Sequence, residues 1–329
     1  MNTPAQQSIA PSPAAVSDNA AFAWLRRLLG AIWLLNAWFQ LRGWLLAPHD
    51  KGAANLLHAY TKPVAHAPTW LQSYLTAVIH GINVLEPHTV AILMVAIDLL
   101  LAISLLFGLR VRLFCWLGIL YSLFCWTTLD SLGYPYAGGQ TDPGVFVNYM
   151  LALFFVLSAL SVTDAGAAAA ESPGPDASFA VGRILFGLLW AFDAILKWQP
   201  YFLTHFMDQL TPATQGQPAW IAAFIGVVIA IVRFIGPMPV AIATAVIETL
   251  IAASLLSGRA LKLFVPVGAL YSLAVWVTAE GWGGPYTAAG TGVRGNVLGN
   301  VLIYAVIYLF LLVPQLARRA GPLRAAVAA

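Results

Sequence analysis

Residues 120–136 read LYSLFCWTTLDSLGYPY, and residues 270–286 read LYSLAVWVTAEGWGGPY. Both stretches fit one pattern, LYSLxxWxTx[DE]xxGxPY, at an offset of 150 residues, and the same offset pairs Asp98 with Glu248. An offset of 157 aligns an earlier segment, where it matches Phe22, Arg26, Gly30, Trp33 and Ala37 with Phe179, Arg183, Gly187, Trp190 and Ala194. Apolar composition alone does not produce this many matches in one register. The sequence therefore predicts a tandem repeat.

The composition is typical of an integral membrane protein. Hydrophobic residues make up 60% and charged residues 9% of the 329 positions, and the mean hydropathy is +0.80. An ordinary soluble protein carries about 25% charged residues, so that class is excluded. The net charge of +3, without a basic run, argues against nucleic-acid binding. The lipid bilayer is thus the predicted environment.

Eight apolar segments are long enough to cross a bilayer, which takes roughly 20 residues per helix. They are residues 24–46, 89–107, 112–131 and 145–162, and then residues 180–200, 239–257, 262–280 and 297–313. Four spans return a chain to its starting side, so the sequence predicts two parallel four-helix repeats in an all-α polytopic membrane protein. The predicted divisions are a flexible N-terminal tail (1–21), a first repeat (22–162, the first half), a cytoplasmic linker (163–178), a second repeat (179–313, the second half) and a basic C-terminal tail (314–329).

One further segment in each half is predicted to lie along the outer membrane surface. Residues 70–85 combine polar side chains with apolar residues that recur at helical period, which is typical of an amphipathic interfacial helix. The matched residues 220–235 are more apolar, so a ninth span stays open there. Lys and Arg concentrate at the span ends on the side of both termini, which predicts cytoplasmic termini in a bacterial-type inner membrane.

Ionisable side chains inside the predicted spans are the candidate catalytic residues, because a charge is costly to hold within a bilayer. Asp98 and Glu248 occupy matched positions in the second and sixth spans. Asp193 lies deep in the fifth span, and Lys197 follows one helical turn later, a spacing that allows an ion pair. A proton relay or polar cavity and polar contacts that only fix helix packing are both compatible with this pattern.

The two halves differ at these positions. Where the second half has Asp193 and Lys197, the first half has Asn36 and Gln40, which form hydrogen bonds but carry no charge. This asymmetry favours the second half as the seat of function.

The loops that follow the third and seventh spans are predicted to lie outside the membrane. Asp130 and Glu280 close those spans. In the second loop Arg294 and Thr291 could contact an anion, with Tyr286 nearby, and a rigid turn with its tyrosine in the aromatic belt is the alternative. No nucleotide, haem or metal motif occurs in the sequence, and all six histidines lie outside the predicted spans.

The opening pattern R-x-x-x-G-x-x-[WF]-x-x-[ND]-A-x-x-K and the closing G-G-P-Y of a four-span unit resemble the DoxX/DoxD membrane proteins. The second half carries both patterns, in Arg183, Gly187, Trp190, Asp193, Ala194 and Lys197 and then in Gly283, Gly284, Pro285 and Tyr286. The first half keeps Arg26, Gly30, Trp33, Pro135 and Tyr136. The resemblance covers about residues 22–162 and 179–313, as a tandem duplication of a unit that usually occurs singly.

The resemblance implies a membrane subunit of a respiratory or redox assembly. The DoxD type is similar to the large subunit of thiosulfate:quinone oxidoreductase, which passes electrons from thiosulfate to membrane quinone and works with a small DoxA subunit. In this interpretation the quinone-binding residues are Trp190, Asp193 and Lys197. The residues for an anionic sulfur substrate are Arg294, Thr291 and Tyr286, and the candidates for proton exchange are Asp98, Glu248 and Asp193.

We therefore expect a DoxD-like, quinone-binding membrane subunit that takes part in the oxidation of thiosulfate or a related sulfur compound. Its partners would be a DoxA-like small subunit or the subunits of a respiratory complex. Two alternatives remain open at this point. One is a non-catalytic subunit that anchors or stabilises a respiratory complex, and the other is a small-molecule transporter.

Overall fold

The computed structural model describes residues 13–136, 139–165, 175–283 and 298–328, and in these ranges the chain is helical with no strand. The helices are α1 (Pro13–Gln40), α2 (His49–Thr61), α3 (Thr69–Leu85), α4 (Pro87–Phe107), α5 (Val111–Thr128), α6 (Val145–Ala165), α7 (Pro175–Lys197), α8 (Pro200–Thr204), α9 (Met207–Leu210), α10 (Ala219–Ile235), α11 (Pro237–Ser257), α12 (Leu261–Thr278) and α13 (Val301–Ala328). A π-helical turn, Leu41–Leu45, continues α1, and short 3₁₀ turns lie at Lys62–His66, Ser131–Gly133, Thr211–Thr214 and Gly281–Gly283. The prediction of an all-α chain is confirmed for these residues.

Five helices in the described part of the chain are long and apolar enough to cross a membrane. They are α4, α5, α7, α11 and α12, and shorter apolar stretches occur at Val145–Ser161, Ala219–Ile235 and Val301–Val313. The membrane character predicted from composition is supported by these helices. The structure also places α1 from Pro13 onward, so its first turns lie in the segment predicted as a tail, and α13 continues through the predicted C-terminal tail to Ala328.

The second long helices of the two halves, α4 and α11, begin and end in the same way. Each has a proline in its first turn, Pro87 or Pro237. Proline has no backbone N–H, and this costs nothing in the first turn because the N–H groups there form no hydrogen bond within the helix. Each ends at a glycine with positive φ, Gly108 at 77° and Gly258 at 73°, a conformation that favours glycine at a helix C-terminus. Local sequence therefore fixes the length of both helices.

An arginine from the preceding long helix satisfies the last carbonyls of each of these helices. Arg26 of α1 donates to the carbonyl of Leu105 at 2.6 Å, and Arg183 of α7 donates to the carbonyl of Leu255. A cation at a helix C-terminus is also favoured by the helix dipole. One turn further along α1 and α7, Gly30 and Gly187 allow close packing, because a Cβ at either would lie 2.9 Å from a leucine side chain. The arginine and glycine of the R-x-x-x-G pattern thus join neighbouring helices.

The long helices pack as two groups of four that meet along a common core. In the first half α1 packs on α4 and α5 on α6, and in the second half α7 packs on α11 and α12 on α13. The two groups meet through α1, α6, α7 and α13. At this interface four phenylalanines form a ring of contacts with centroid distances of 5.6–6.2 Å: Phe22 and Phe155 each contact both Phe179 and Phe310.

The helices predicted to lie along the membrane surface are present as α3 and α10. Each buries one face, through Leu71, Leu75 and Ile82 in α3 and through Ile221, Ile225, Ile229 and Val232 in α10. Large apolar side chains are exposed on the remaining surface of α10, including Trp220, Phe224, Val227, Ile231 and Phe234. Such an exposed apolar face fits contact with lipid.

Candidate functional site

A cavity of about 330 Å³ lies within the second half. Its walls come from α7, α10, α11, α12 and α13 and are largely apolar. One end, which we call the helical end, is formed by polar side chains of the long helices: Trp190, Asp193, Lys197, Glu248, Tyr271 and Tyr304. The other end, the loop end, is formed by residues beyond or between the long helices: Thr141, Asp142, Gln209, Glu280 and Asn300. An apolar cavity with a few convergent polar groups is the usual form of a small-molecule site.

At the helical end, Lys197 is the cation of an ion pair that joins α7 to α11. Its Nζ lies 3.5 Å from Glu248 Oε2, and its side chain and that of Glu248 are 12% and 5% exposed. The other carboxylate oxygen of Glu248 accepts a hydrogen bond from the Tyr271 hydroxyl at 2.7 Å. The ion pair that forms therefore runs to the neighbouring helix, rather than to Asp193 one turn earlier on α7 as the spacing had suggested.

Asp193 is held from α13 but keeps one oxygen unused. Its Oδ2 accepts a hydrogen bond from the Tyr304 hydroxyl at 2.8 Å, and Asp193 is 3% exposed. Its Oδ1 and the indole nitrogen of Trp190 are both buried and have no hydrogen-bond partner among the described residues. Leaving a buried polar group unpaired costs roughly 1–3 kcal/mol. Because both residues line the cavity, a ligand there can satisfy one acceptor and one donor.

The matched positions in the first half form a different set of contacts. Asp98 accepts hydrogen bonds from the Trp33 indole at 2.7 Å and from the Tyr121 hydroxyl at 3.4 Å. The amide of Asn36 donates to the hydroxyl of Tyr149, as Asp193 accepts from Tyr304 in the second half. Both oxygens of Asp98 therefore have partners within the protein. Trp33 donates to Asp98 in the first half, whereas its counterpart in the second half, Trp190, has no hydrogen-bond partner among the described residues.

The space beside this cluster is filled in the first half. Tyr60 is 1% exposed, and its hydroxyl contacts Met94 Sδ at 3.2 Å. At the offset of 150, the position of Met94 is Thr244 in the second half, and the position of the buried Leu129 is Ala279. Thr244 and Ala279 both line the cavity. Two large side chains in the first half are thus replaced by small ones where the second half is hollow.

Asp130 and Glu280 cap the helices that follow them. Asp130 accepts from the backbone N–H of Phe146 at 2.9 Å, and Glu280 accepts from the N–H groups of Asn300 at 2.8 Å and Val301 at 3.1 Å. These N–H groups stand at the starts of α6 and α13, where helical donors lack partners and a carboxylate is favoured. Glu280 lies beyond the end of α12, and burial raises its pKa to about 8 against the hydrogen bonds to Asn300 and Val301. The acidic pair therefore has a structural role in both halves.

The structure brings together four of the residues singled out in the sequence: Trp190, Asp193, Lys197 and Glu248 share one cavity. Asp98 belongs to the separate, filled cluster of the first half. The candidate anion-binding residues Arg294, Thr291 and Tyr286 lie outside the described residues.

Sequence reasoning missed three groups that complete the site. Tyr304 lies on the last long helix, α13, where the two halves match at an offset of 155 residues. The same offset relates Pro143 to Leu298, whose carbonyls accept hydrogen bonds from the matched tryptophans Trp126 and Trp276. Thr141 and Asp142 belong to a first-half loop, and no repeat pattern points from there to the second half. The third group is the pair of small residues Thr244 and Ala279, which match the larger Met94 and Leu129 of the first half. Comparing side-chain sizes at matched positions would have indicated the cavity from the sequence.

No family model, curated protein or solved structure matches this chain.

Proposed function

We propose that this chain is an eight-span membrane protein made of two parallel four-helix repeats, and that its second half binds a quinone. In this proposal it is a DoxX/DoxD-like subunit that takes part in the oxidation of thiosulfate or a related sulfur compound. The observation that carries the quinone site is the cavity of about 330 Å³ whose helical end holds an unpartnered donor, Trp190, and an unpartnered acceptor, Asp193.

The four phenylalanines between the halves support the repeat. Phe22 contacts Phe179, its counterpart at the offset of 157, and Phe155 contacts Phe310, its counterpart at 155. The other two contacts are equivalent to each other, because exchanging each phenylalanine for its counterpart turns the contact of Phe22 with Phe310 into that of Phe179 with Phe155. Reciprocal contact of equivalent residues is what a two-fold axis produces. An axis along the membrane normal relates repeats that cross in the same direction.

The residues of the cavity fit a quinone. Its apolar walls suit a hydrophobic ring, and the volume lies at the small end of the roughly 300–1,000 Å³ seen for ligand pockets. A quinone carbonyl accepts hydrogen bonds, which the Trp190 indole and the Lys197 ammonium can donate. A quinol hydroxyl donates one, which Asp193 Oδ1 can accept. A bound quinone would supply the capacity to take up two electrons and two protons.

The charges at the helical end give this chain a way to hold protons beside such a ligand. Asp193 and Glu248 are carboxyl groups on the neighbouring helices α7 and α11, and Lys197 forms the ion pair with Glu248. We place the loop end on the outer face of a bacterial-type inner membrane, with both termini cytoplasmic, because Lys and Arg concentrate at the opposite helix ends. A DoxA-like small subunit or other respiratory subunits would then complete the assembly.

The first experiment asks whether the cavity holds a quinone. The protein is purified in mild detergent, and bound quinone is extracted and measured by liquid chromatography with mass spectrometry. In the test variant, Thr244→Met with Ala279→Leu, the cavity receives the residues that the first half has at those positions. The matched control is Ala253→Leu, which adds bulk on an exposed face of the same helix, α11.

We expect quinone in the wild type and in the control and loss of it in the filled variant, with all three proteins folded as judged by circular dichroism. Absence of quinone from the wild type, together with no binding of added duroquinone, would overturn the proposal. Thiosulfate-dependent reduction of duroquinone, measured with the protein and its co-purifying partners, tests the sulfur chemistry separately. A preparation that binds quinone but shows no such reduction would refute that part and favour an anchoring subunit.

A further inference from the structure

The loop of the first half that follows α5 reaches across to the second half and forms part of the cavity wall. Its segment Gly139–Asp142, which we call the strap, is joined to the second half at three points. Gln209 donates to the carbonyl of Gly139 at 3.5 Å, Lys197 donates to the carbonyl of Thr141, and Asn300 donates to Asp142 Oδ1 at 2.7 Å. Gly139 also packs on Tyr201, where a Cβ would lie 2.8 Å from the ring. The strap is therefore a fixed part of the loop end.

Asp142 is the charged residue of the strap, and its carboxylate is held at the cavity. Besides the bond from Asn300, its Oδ1 accepts the backbone N–H of Gly144 at 2.9 Å. An Asp side chain carries a negative charge at neutral pH. The strap thus places a fixed negative charge, supplied by the first half, at the loop end of the second-half cavity.

The other charged residues that line the cavity do not offset the negative charge of Asp142. Among the described residues of the lining, Lys197 is the one cation, and its charge is already matched by Glu248 at 3.5 Å. Asp193 and Glu280 are further carboxyl groups, and neither brings positive charge. An anion that entered this cavity would therefore meet the carboxylate of Asp142 without a free cation, which is unfavourable in an environment of low dielectric.

We propose that Asp142 is a specificity-determining residue that keeps anions out of the second-half cavity, so that the site takes neutral quinones and rejects anionic ligands. This inference rests on the proposed quinone site and narrows its ligand class. It also separates the two substrates of the proposed reaction. Thiosulfate, a dianion, would be handled outside this cavity, and only the neutral quinone would occupy it.

The test compares two probes of similar shape, 2-methylanthraquinone and anthraquinone-2-sulfonate, by equilibrium dialysis against the purified full-length protein in detergent. The wild type is expected to bind the neutral probe in preference to the sulfonate. The variant Asp142→Asn keeps the side-chain shape and an acceptor for Asn300 and Gly144. It is expected to shift the ratio of the two affinities about tenfold towards the sulfonate, an effect that shrinks as salt is added. Asp142→Glu should restore the preference.

The control is Asp50→Asn, which removes one carboxylate from an exposed position in the first half and should leave the ratio unchanged. Equal binding of both probes by the wild type, or the same ratio in Asp142→Asn as in the wild type, would overturn the role of Asp142 while the quinone site stands. Failure of the neutral probe to bind the wild type would instead overturn the quinone site itself.

Discussion

Replacing Lys197 by methionine removes the cation of the buried ion pair while keeping a side chain of similar length. Two unit charges 3.5 Å apart attract by about 5 kcal/mol at an effective dielectric constant of about 20. Part of that attraction offsets the cost of burying both groups, so the pair itself contributes much less to net stability. Breaking it from one side, however, leaves Glu248 as a buried charge without its partner, which costs about 3–5 kcal/mol.

We therefore expect Lys197→Met to lower the free energy of unfolding by about 3–5 kcal/mol. The double variant Lys197→Met with Glu248→Gln leaves no unpaired charge, and we expect it to recover more than half of the loss. The free energy of unfolding is measured by titrating sodium dodecyl sulfate into mixed micelles and following tryptophan fluorescence, with Glu248→Gln alone completing the double-mutant cycle. Gln40→Met, at the matched position of the first half, is the control; it removes a hydrogen bond to the buried Asp98 but breaks no ion pair, and it should cost about 1.5–3 kcal/mol.

Two results would refute this reasoning. If Lys197→Met costs no more than Gln40→Met, the ion pair does not stabilise the second half. If Glu248→Gln fails to rescue Lys197→Met, the loss comes from packing of the lysine side chain and not from its charge. Quinone binding measured on the same proteins separates stability from function, because the double variant is expected to fold and yet bind duroquinone more weakly than the wild type.

Three further outcomes can be measured with the same unfolding assay. Arg183→Ala removes the donor to the last carbonyls of α11 and should lower stability by roughly 1–2 kcal/mol, most of all at low salt. Burial raises the pKa of Glu280 to about 8, so the folded state binds more protons than the unfolded state between about pH 4.5 and 8. The free energy of unfolding should therefore fall as the pH rises from about 4.5 to 8, and Glu280→Gln should make this fall smaller. Gly268→Ala places a Cβ 2.2 Å from the Tyr308 hydroxyl and should cost about 1–3 kcal/mol, whereas Gly226→Ala meets nothing within 4 Å and should be neutral or slightly stabilising.

The helices and the buried polar residues were accessible from the sequence because both depend on local pattern. Apolar periodicity and length predict α4, α5, α7, α11 and α12, and the proline and glycine at the ends of α4 and α11 fix their limits. The scarcity of charge within the spans pointed to Asp98, Glu248 and Asp193, and all three are buried.

The partners of those residues were not accessible, because they depend on how distant segments pack. The i,i+4 spacing of Asp193 and Lys197 allowed an ion pair within one helix, but Lys197 pairs with Glu248, which is brought close by the packing of α7 on α11. The approach of Thr141 to Lys197 joins residues 56 positions apart through a loop, and no periodicity describes such a contact. Differences in size between matched positions, such as Met94 and Thr244, carry information that a search for identities discards.

The filled cluster of the first half and the hollow one of the second bear on how such a chain evolves. In a dimer of identical subunits each substitution appears in both copies, so a closed site and an open site cannot be selected independently. Two halves of one polypeptide can differ in sequence and are free of that restriction, so a residue such as Tyr60 can fill the first half without blocking the cavity of the second half. The first half nevertheless contributes to the second-half cavity, because it supplies the strap, so a substitution in either half can change the same site.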